Sequence, residues 1–436
     1  MLFVKMFFIE KMLVFNSFKF IFDIFKTLIN VENTNFIFIM PNPQNTYQYI
    51  IAGGGMAGLS LAFYLNQSDK LHDKSVLIID REEKNVNDHT WCFWETGKSP
   101  FEEIIFKKWQ GVWFHGTDNF SQFLDLQEYT YKMVRGIDFY EHIIFQLKQN
   151  SNITFLQANI EKIDSVDGNS FVKTDKGDFT ASEFVFDSSF RSNYNNPKQH
   201  NMLQHFKGWV IDTIKPVFKI DEPTLFDFRI EQKDELRFVY VLPYSETKAL
   251  IEFTIFSDNL ITQEEYEFYL KKYIEETIKV GEYQIKTDEY QISETEFGVI
   301  PMSDEKHEIS PMNKVIRIGT SGGYVKASTG YTFQRSQRFL QNLVGSLEVG
   351  NSVTNGIKIN KWKGILDTVL LNVMLKKRAP QDEIFTDLFK NNKSSRILKF
   401  LDEDTSFFED LLVINSVPKM PFIKAAWQVL TQKLTQ

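Results

Sequence analysis

Cysteine is almost absent from this chain of 436 residues: Cys92 stands alone. No disulfide can form within the chain, and a reducing cytoplasm is the simplest setting. The seven histidines include no His-x-x-x-His pair and no cysteine cluster joins them, so no metal site is expected. Positive charge is not in excess either. The net charge is −8, with acidic and basic residues mixed along the chain, which argues against a nucleic-acid partner, since that needs a basic face. No apolar run approaches the ~18–20 residues that would span a bilayer.

The first 39 residues come nearest to such a run. They are rich in Phe, Ile and Leu but are broken by Lys5, Glu10, Lys11, Lys19, Asp23 and Lys26. A clean apolar core with a small-residue cleavage site is missing, so the segment is a poor signal peptide. An ordinary start follows at Met40-Pro41-Asn42-Pro43. Residues 1–39 are therefore read as an over-extended start or an accessory tail, with an interfacial amphipathic helix as the functional alternative.

What the chain does have is a globular composition, 43% hydrophobic and 24% charged, in a length that suits two intimately packed domains. Its 42 phenylalanines reflect base composition, an apolar substrate tunnel, or both. Tyr47–Ala52 and Ser75–Ile79 read as buried parallel strands around a helix at Leu59–Leu65. Further strands are expected at 152–155, 171–174, 184–186 and 315–318. Between them, Leu225–Ile230, Leu236–Leu242 and Lys248–Phe256 form an antiparallel meander with short polar turns. From Phe333 onward the pattern is helical, with Leu340, Leu343, Val344 and Leu347 on one stripe. The fold class is α/β: a Rossmann-like dinucleotide domain with an inserted antiparallel sheet and a helical C-terminal part. The expected boundaries are 40–200 with 310–345 for the dinucleotide domain, 201–309 for the inserted sheet and 346–436 for the helical region.

Gly53-Gly54-Gly55-Met56-Ala57-Gly58 fits G-x-G-x-x-G between a strand and a helix. Gly53 permits the tight turn, Gly55 lets backbone amides approach a pyrophosphate, and Gly58 allows close helix–strand packing. Met56 and Ala57 open the helix, whose N-terminus favours an anion. Asp80, 22 residues after Gly58, ends the next strand where a carboxylate accepts hydrogen bonds from ribose. Together these features are far more specific than the six-residue pattern alone, and they indicate FAD or NAD in preference to NADP.

Three other patterns carry chemistry. On Ala249–Phe256, Glu252 shares a face with Leu250, Thr254 and Phe256, while Ile251, Phe253 and Ile255 take the other. Glu252 is then either on a solvated sheet face or in an apolar pocket, where desolvation keeps it protonated and fit to act as a general acid. Asp227 and Arg229, two residues apart, are candidates for the catalytic site or an ion pair that fixes the sheet. Gly319-Thr320-Ser321-Gly322-Gly323 formally matches a hydrolase elbow, but His307 is the last histidine and no base follows Ser321. Gly319, Gly322 and Gly323 are better read as a second glycine-rich approach to the cofactor.

With these pieces in order, the sequence resembles the lycopene cyclase family from about Tyr49 to Ala426. The carriers are Val76-Leu77-Ile78-Ile79-Asp80 with His89-Thr90-Trp91-Cys92-Phe93-Trp94, then Gln204-His205-Phe206-Lys207-Gly208-Trp209 and Asp227-Phe228-Arg229. Leu242-Pro243, Leu250-Ile251-Glu252-Phe253-Thr254 and Gly298-Val299-Ile300-Pro301-Met302 follow. The last block is Gly322-Gly323-Tyr324-Val325-Lys326-Ala327-Ser328-Thr329-Gly330-Tyr331-Thr332-Phe333.

The resemblance implies a flavoprotein that uses reduced FAD, with NAD(P)H as external reductant and no net redox change. It implies protonation of a terminal double bond of lycopene, closure of the cation and proton loss to a β-ring, giving γ- or β-carotene. Glu252 matches the acid taken as essential in the family. The next position, often a second acid there, is Phe253 here and faces the other side by alternation. The family's flavin fold further implies cofactor contacts at Arg135 and Asp187. Trp91, Trp94, Phe253 and Tyr331 are candidates to line the pocket, or are simply core.

Two other readings differ in chemistry. One is a flavin-dependent hydroxylase or reductase of an isoprenoid lipid, and the other a flavin-binding membrane-surface protein without chemistry. A hydrocarbon substrate resides in the bilayer, so a peripheral protein on the cytoplasmic face of the inner membrane is expected. The C-terminal helices or the meander would dock, with carotenoid-pathway enzymes as possible partners.

Overall fold

A computed structural model of the chain describes residues 45–189, 198–280, 283–350 and 360–434; the expectation for residues 1–39 lies outside them. Strands and helices are numbered here in chain order.

The first sheet is built around the glycine motif. β1 (Thr46–Ala52) lies between β2 (Val76–Asp80) and β11 (Gly177–Asp187), parallel to both. β8 (Ile153–Gln157) extends it beyond β2, and β19 (Val315–Arg317) pairs with the end of β11. β9 (Ile160–Val166) and β10 (Asn169–Thr174) add an antiparallel ribbon. Ile50, Ile51, Leu77, Ile78 and Ile79 are all buried, because both faces of this sheet are covered, and so these strands read as continuous apolar runs. One cover is formed by α1 (Met56–Gln67), α2 (Gly136–Leu147) and α4 (Phe333–Glu348). The stripe Leu340, Leu343 and Val344 of α4 packs into this cluster.

The second sheet has seven strands in the order β18-β12-β15-β14-β13-β5-β6. Its centre is the meander of β13 (Thr224–Asp227), β14 (Leu236–Pro243) and β15 (Lys248–Ser257). The sequence pattern did not reveal its two longest strands, β12 (Asn201–Thr213) and β18 (Tyr290–Ser303), which flank β15 and the sheet edge. β18 is outermost, and its exposed and shielded residues alternate, so it lacks the dense apolar run that marks a central strand. β5 (Gly111–His115) and β6 (Ser121–Asp125) complete the other edge, β5 pairing in parallel with β13. Strands from 111–125 therefore also belong to this sheet, because an earlier excursion of the chain supplies its far edge.

A third sheet, β3 (Thr90–Glu95), β7 (Thr130–Arg135) and β4 (Lys107–Trp109), also arises from that excursion. A short ribbon of β16 (Lys279–Val280) and β17 (Tyr283–Gln284) follows α3 (Gln263–Thr277). α3 covers one face of the second sheet, packing Tyr266, Tyr269, Leu270 and Tyr273 on Ile251, Phe253 and Ile255. The opposite face, with Leu250, Phe256, Phe226 and Phe238, packs with Trp94 and Tyr131 of the third sheet and with the C-terminal helices. Those helices are α5 (Lys361–Leu375), α6 (Gln381–Lys390), α7 (Ser394–Leu401), α8 (Phe407–Ile414) and α9 (Lys419–Leu434). Among the described residues, no helix is long and apolar enough to cross a membrane.

Candidate functional site

The glycine turn has the shape of an anion cradle. Gly53 adopts φ +107°, and its carbonyl oxygen would stand 1.9 Å from a Cβ placed on Gly58, so Gly58 is the close contact between strand and helix. A Cβ on Gly55 would meet nothing within 4 Å. That open space lies at the N-cap of α1, where no side chain caps the helix and no acid occupies the first turn. The unsatisfied amides and the positive end of the helix dipole thus face a free volume, which is what a pyrophosphate requires. Met56 and Ala57 are buried beneath it.

Asp80 sits at the end of β2, but its carboxylate is turned onto the loop. Its Oδ2 accepts from the Gly54 N–H at 2.6 Å and its Oδ1 from the Glu82 N–H at 2.9 Å. Asp187 ends β11 beside Ala52 and accepts from the Ser189 N–H and hydroxyl at 2.9 and 2.5 Å. Gly319 closes on the same place, since a Cβ there would lie 2.7 Å from the Ala57 Cβ. Gly322 and Gly323 belong to the next turns, near the Arg317 carbonyl and the His307 ring. Arg135 ends β7. It forks onto Asp138 with two 2.7 Å hydrogen bonds and stacks its guanidinium 4.1 Å from the Phe106 ring centre.

Glu252 occupies the middle of β15 on the face turned away from α3. Its register partner on β14 is Tyr240 and on β12 is Gly208. The carboxyl accepts from the Thr254 hydroxyl at 2.7 Å through Oε1. Cys92 of β3 and Tyr331 of the 324–333 loop lie close enough to feel its charge. Trp94 meets the Tyr331 ring edge-on at 4.9 Å between centres. Burial, followed by the charge of Glu296, pushes the Glu252 carboxyl well above the usual carboxylate range, which favours its protonated form. Burial likewise drives Cys92, Tyr240 and Tyr331 upward, and all three stay neutral beside it. The result is a carboxyl held toward its protonated form, with Glu296 beside it and neutral, aromatic side chains around the two.

Glu296 is the residue that sequence reasoning missed. It lies on β18, paired with Gly208 across from Glu252, and burial raises its carboxyl as well, against hydrogen bonds from Thr90 and Glu252. Only the alternation of β18 around Gly298-Val299-Ile300-Pro301-Met302 could have signalled it, and that strand was not recognised.

The other candidates are distributed differently. Asp227 faces the opposite side of the sheet from Glu252, since its register partner Val239 pairs with Phe253. It is 0% exposed, receives two hydrogen bonds from the Arg229 guanidinium (2.9 and 2.6 Å) and one from the Tyr273 hydroxyl (2.7 Å). Burial works to raise its carboxyl, but the Arg229 contacts outweigh it and hold Asp227 below the usual range. Asp227 and Arg229 thus form the ion pair that ties β13 to α3, and the structure does not bring them to Glu252. Phe253 is fully buried against Tyr266 and Tyr269, which removes it from the pocket lining: alternation placed it in the α3 core. Trp91 packs edge-on against Phe139 and Tyr140 in the core of the first domain. Among the described residues, no cluster of His, Cys, Asp and Glu could hold a metal ion.

Comparison with known proteins agrees with this architecture. The family model described as lycopene cyclase protein matches residues 49–427. A lycopene beta-cyclase from a Paracoccus species is 39% identical over 64 residues, 14% of this chain and 16% of that protein. The matched stretch therefore spans about a sixth of that relative's length. Among solved structures, a geranylgeranyl bacteriochlorophyll reductase-like protein from Thermoplasma acidophilum superposes with a TM-score of 0.53 at 14% identity, over 87% of this chain and 96% of that one. A flavoprotein/dehydrogenase from Cytophaga hutchinsonii gives 0.52 at 12% identity, over 89% and 100%. A variant of halogenase PltM in complex with FAD gives 0.51 at 11% identity, over 89% and 92%. At these identities the likeness is one of fold, that of flavin-dependent oxidoreductases and halogenases. The family match runs from the first strand to the last helix, and the chain belongs to the lycopene cyclase family.

Proposed function

We propose that the protein is a lycopene beta-cyclase that converts lycopene to a β-ring carotene by acid catalysis, with Glu252 as the general acid. The observation that carries this reading is the buried Glu252 carboxyl, driven toward its protonated form by burial and by Glu296 and surrounded by aromatic side chains. An alkene is a very weak base, so the site must hold a proton ready at neutral pH and keep water from the cation that forms. Tyr240, Tyr331 and Trp94 present ring faces and edges near the acid, and such rings favour a passing cation. Glu252 gives its proton to the terminal double bond, the cation closes on its neighbour, and loss of a ring proton ends the reaction without redox change.

The cradle at Gly53–Gly58, with Asp80, Asp187 and Gly319 around it, suits the pyrophosphate and ribose of FAD. When bound and kept reduced by NAD(P)H, the flavin supplies an electron-rich ring that favours a nearby positive charge. Product mass separates this reading from a hydroxylase or reductase of the same fold, because cyclisation leaves the mass unchanged.

A carotene resides in the bilayer, and the C-terminal face suits docking there. Phe407, Phe408, Leu411 and Leu412 of α8 and Met420, Ile423, Trp427 and Leu430 of α9 are exposed, Phe408 at 78% and Trp427 at 72%. Lys419 and Lys424 are exposed beside them, whereas Glu409 and Asp410 of α8 are bound to Lys399 and Lys363. Apolar side chains edged by cations, with the acids withdrawn, suit an anionic lipid surface. This supports peripheral attachment to the cytoplasmic face of the inner membrane.

The test is expression in lycopene-accumulating cells of the full chain, of the chain starting at Met40, and of Glu252→Gln. Wild-type protein is expected to produce cyclised carotene of unchanged mass, and the variant to accumulate lycopene. Flavin-loaded protein that leaves lycopene untouched would rule the reading out.

A further inference from the structure

Tyr240, Glu252, Gly208 and Glu296 stand in one row across four neighbouring strands, on one face of the second sheet. Adjacent strands are ~4.8 Å apart, so the backbones of Glu252 and Glu296 are separated by about 10 Å. Their side chains meet because the residue between them has none. A Cβ on Gly208 would lie 2.8 Å from the Glu296 Cγ and 3.0 Å from its Oε1, so the Glu296 side chain lies directly over the glycine.

Each carboxyl is also held by a threonine. Thr254 donates to the Glu252 Oε1 at 2.7 Å, and Thr90 donates to the Glu296 Oε2 at 2.8 Å. The Glu296 Oε1 is buried and receives no hydrogen bond from an N–H or hydroxyl group. The Glu252 and Glu296 carboxyls lie within hydrogen-bonding reach of one another. A buried acceptor left without a donor is costly, and a proton on Glu252 supplies that donor.

We propose that Glu252 and Glu296 act as one acid, a pair sharing a single proton, in which Glu296 is the positioning residue that holds the proton on Glu252. The proposal rests on the cyclisation assigned above to Glu252. In the first step the Glu252 O–H bond breaks and a C–H bond forms with the π electrons of the terminal alkene. Two adjacent carboxylates remain, and their mutual repulsion makes the pair a strong base. When the ring C–H bond breaks, its electrons form the ring double bond and its proton returns to the pair. No electrons leave the substrate, and the pair ends as it began.

The groups that face the pair are His89, Cys92, Tyr240, Tyr244, Glu294 and Tyr331. Cys92 and the three tyrosines are driven upward by burial and stay neutral. His89 and Glu294 lie on the Glu296 side, where they act on its carboxyl in opposite directions.

Infrared difference spectra of the flavin-loaded full chain, recorded without carotene over a pH series in H2O and D2O, report the protonated carboxyl directly. Wild-type protein is expected to show one such carboxyl at neutral pH, absent from Glu252→Gln. In Glu296→Gln the Glu252 carboxyl should become a stronger acid by about tenfold, one pH unit, and the basic limb of the kcat profile should move the same way. Glu296→Asp should restore part of the shift. Retained flavin and a single cooperative melting transition guard against misfolding. A Glu252 carboxyl that titrates in Glu296→Gln as in the wild type would overturn the proposal. The spectra need no substrate, so failure of the cyclase reading would show separately, as a normal pair in a protein that leaves lycopene unchanged.

Discussion

Glu252 and Phe253 are neighbours in the chain and opposites in the fold: one faces Tyr240 and Gly208, the other lies wholly buried under Tyr266 and Tyr269 of α3. A carboxyl at 253 would therefore not be a second acid for the site. Phe253→Glu should destabilise the protein by ~3–5 kcal/mol, through lost packing and a buried charge. It should add nothing to turnover per folded molecule, as thermal melts and assays normalised to bound flavin would show.

The raised carboxyl of Glu252 makes stability depend on pH. Its folded pKa lies well above the ordinary 4.5. Below about pH 4.5 both folded and unfolded chains hold the proton, and the group's contribution is fully present. As pH rises toward the folded pKa, the unfolded chain releases the proton and the folded one keeps it, so that contribution is lost at up to ~1.4 kcal/mol per pH unit. Glu252→Gln has no proton to release. Its melting temperature should gain on the wild type as pH increases from 5 to 8, and parallel curves would contradict this.

Gly55 and Gly58 should fail in different ways. Alanine at 58 collides with the Gly53 carbonyl at 1.9 Å and should unfold the turn, lowering both stability and yield. Alanine at 55 meets nothing within 4 Å, so the apoprotein should melt as the wild type does. The methyl group would occupy the space for the cofactor phosphates, and FAD affinity measured by fluorescence titration should fall ~10-fold or more, about 1.4 kcal/mol.

The Asp227–Arg229 pair should prove structural. Asp227→Asn leaves the Arg229 charge without its partner, but the Arg229 side chain is 42% exposed and water compensates part of the loss. A loss of ~1–3 kcal/mol is expected by denaturant titration, with kcat per flavin-loaded molecule close to wild type.

Docking should depend on α8 and α9. Phe408→Glu with Trp427→Glu should reduce co-sedimentation with anionic vesicles at least tenfold while leaving flavin binding intact. Activity on carotene in vesicles should fall, and activity on detergent-dispersed carotene should not.

The parts legible in sequence were those with local grammar. The glycine turn, the apolar strands β1 and β2 and the meander each carry their pattern within a few residues, and the α4 stripe does so within three turns. The Glu252 strand showed its two faces through alternation alone. The pairing of β12 and β18 beside β15 was not legible, because register between strands tens of residues apart leaves no local trace. Glu296 was missed for that reason: its significance depends on Gly208, on another strand, having no side chain. Asp227 shows the converse. Its spacing from Arg229 was visible, but the face it occupies depended on a register irregularity between Thr224 and Asp227 in β13.

The position of β18 at the sheet edge has one further consequence. Paired to β12 alone among the described strands, it is free to shift by small amounts that a central strand would resist. Any such shift changes the distance between two like charges, and hence how readily the proton leaves. Phe297 and Val299 line its outer surface, so substitutions there, remote from the reacting carbon, would act as a mechanical adjustment of acid strength.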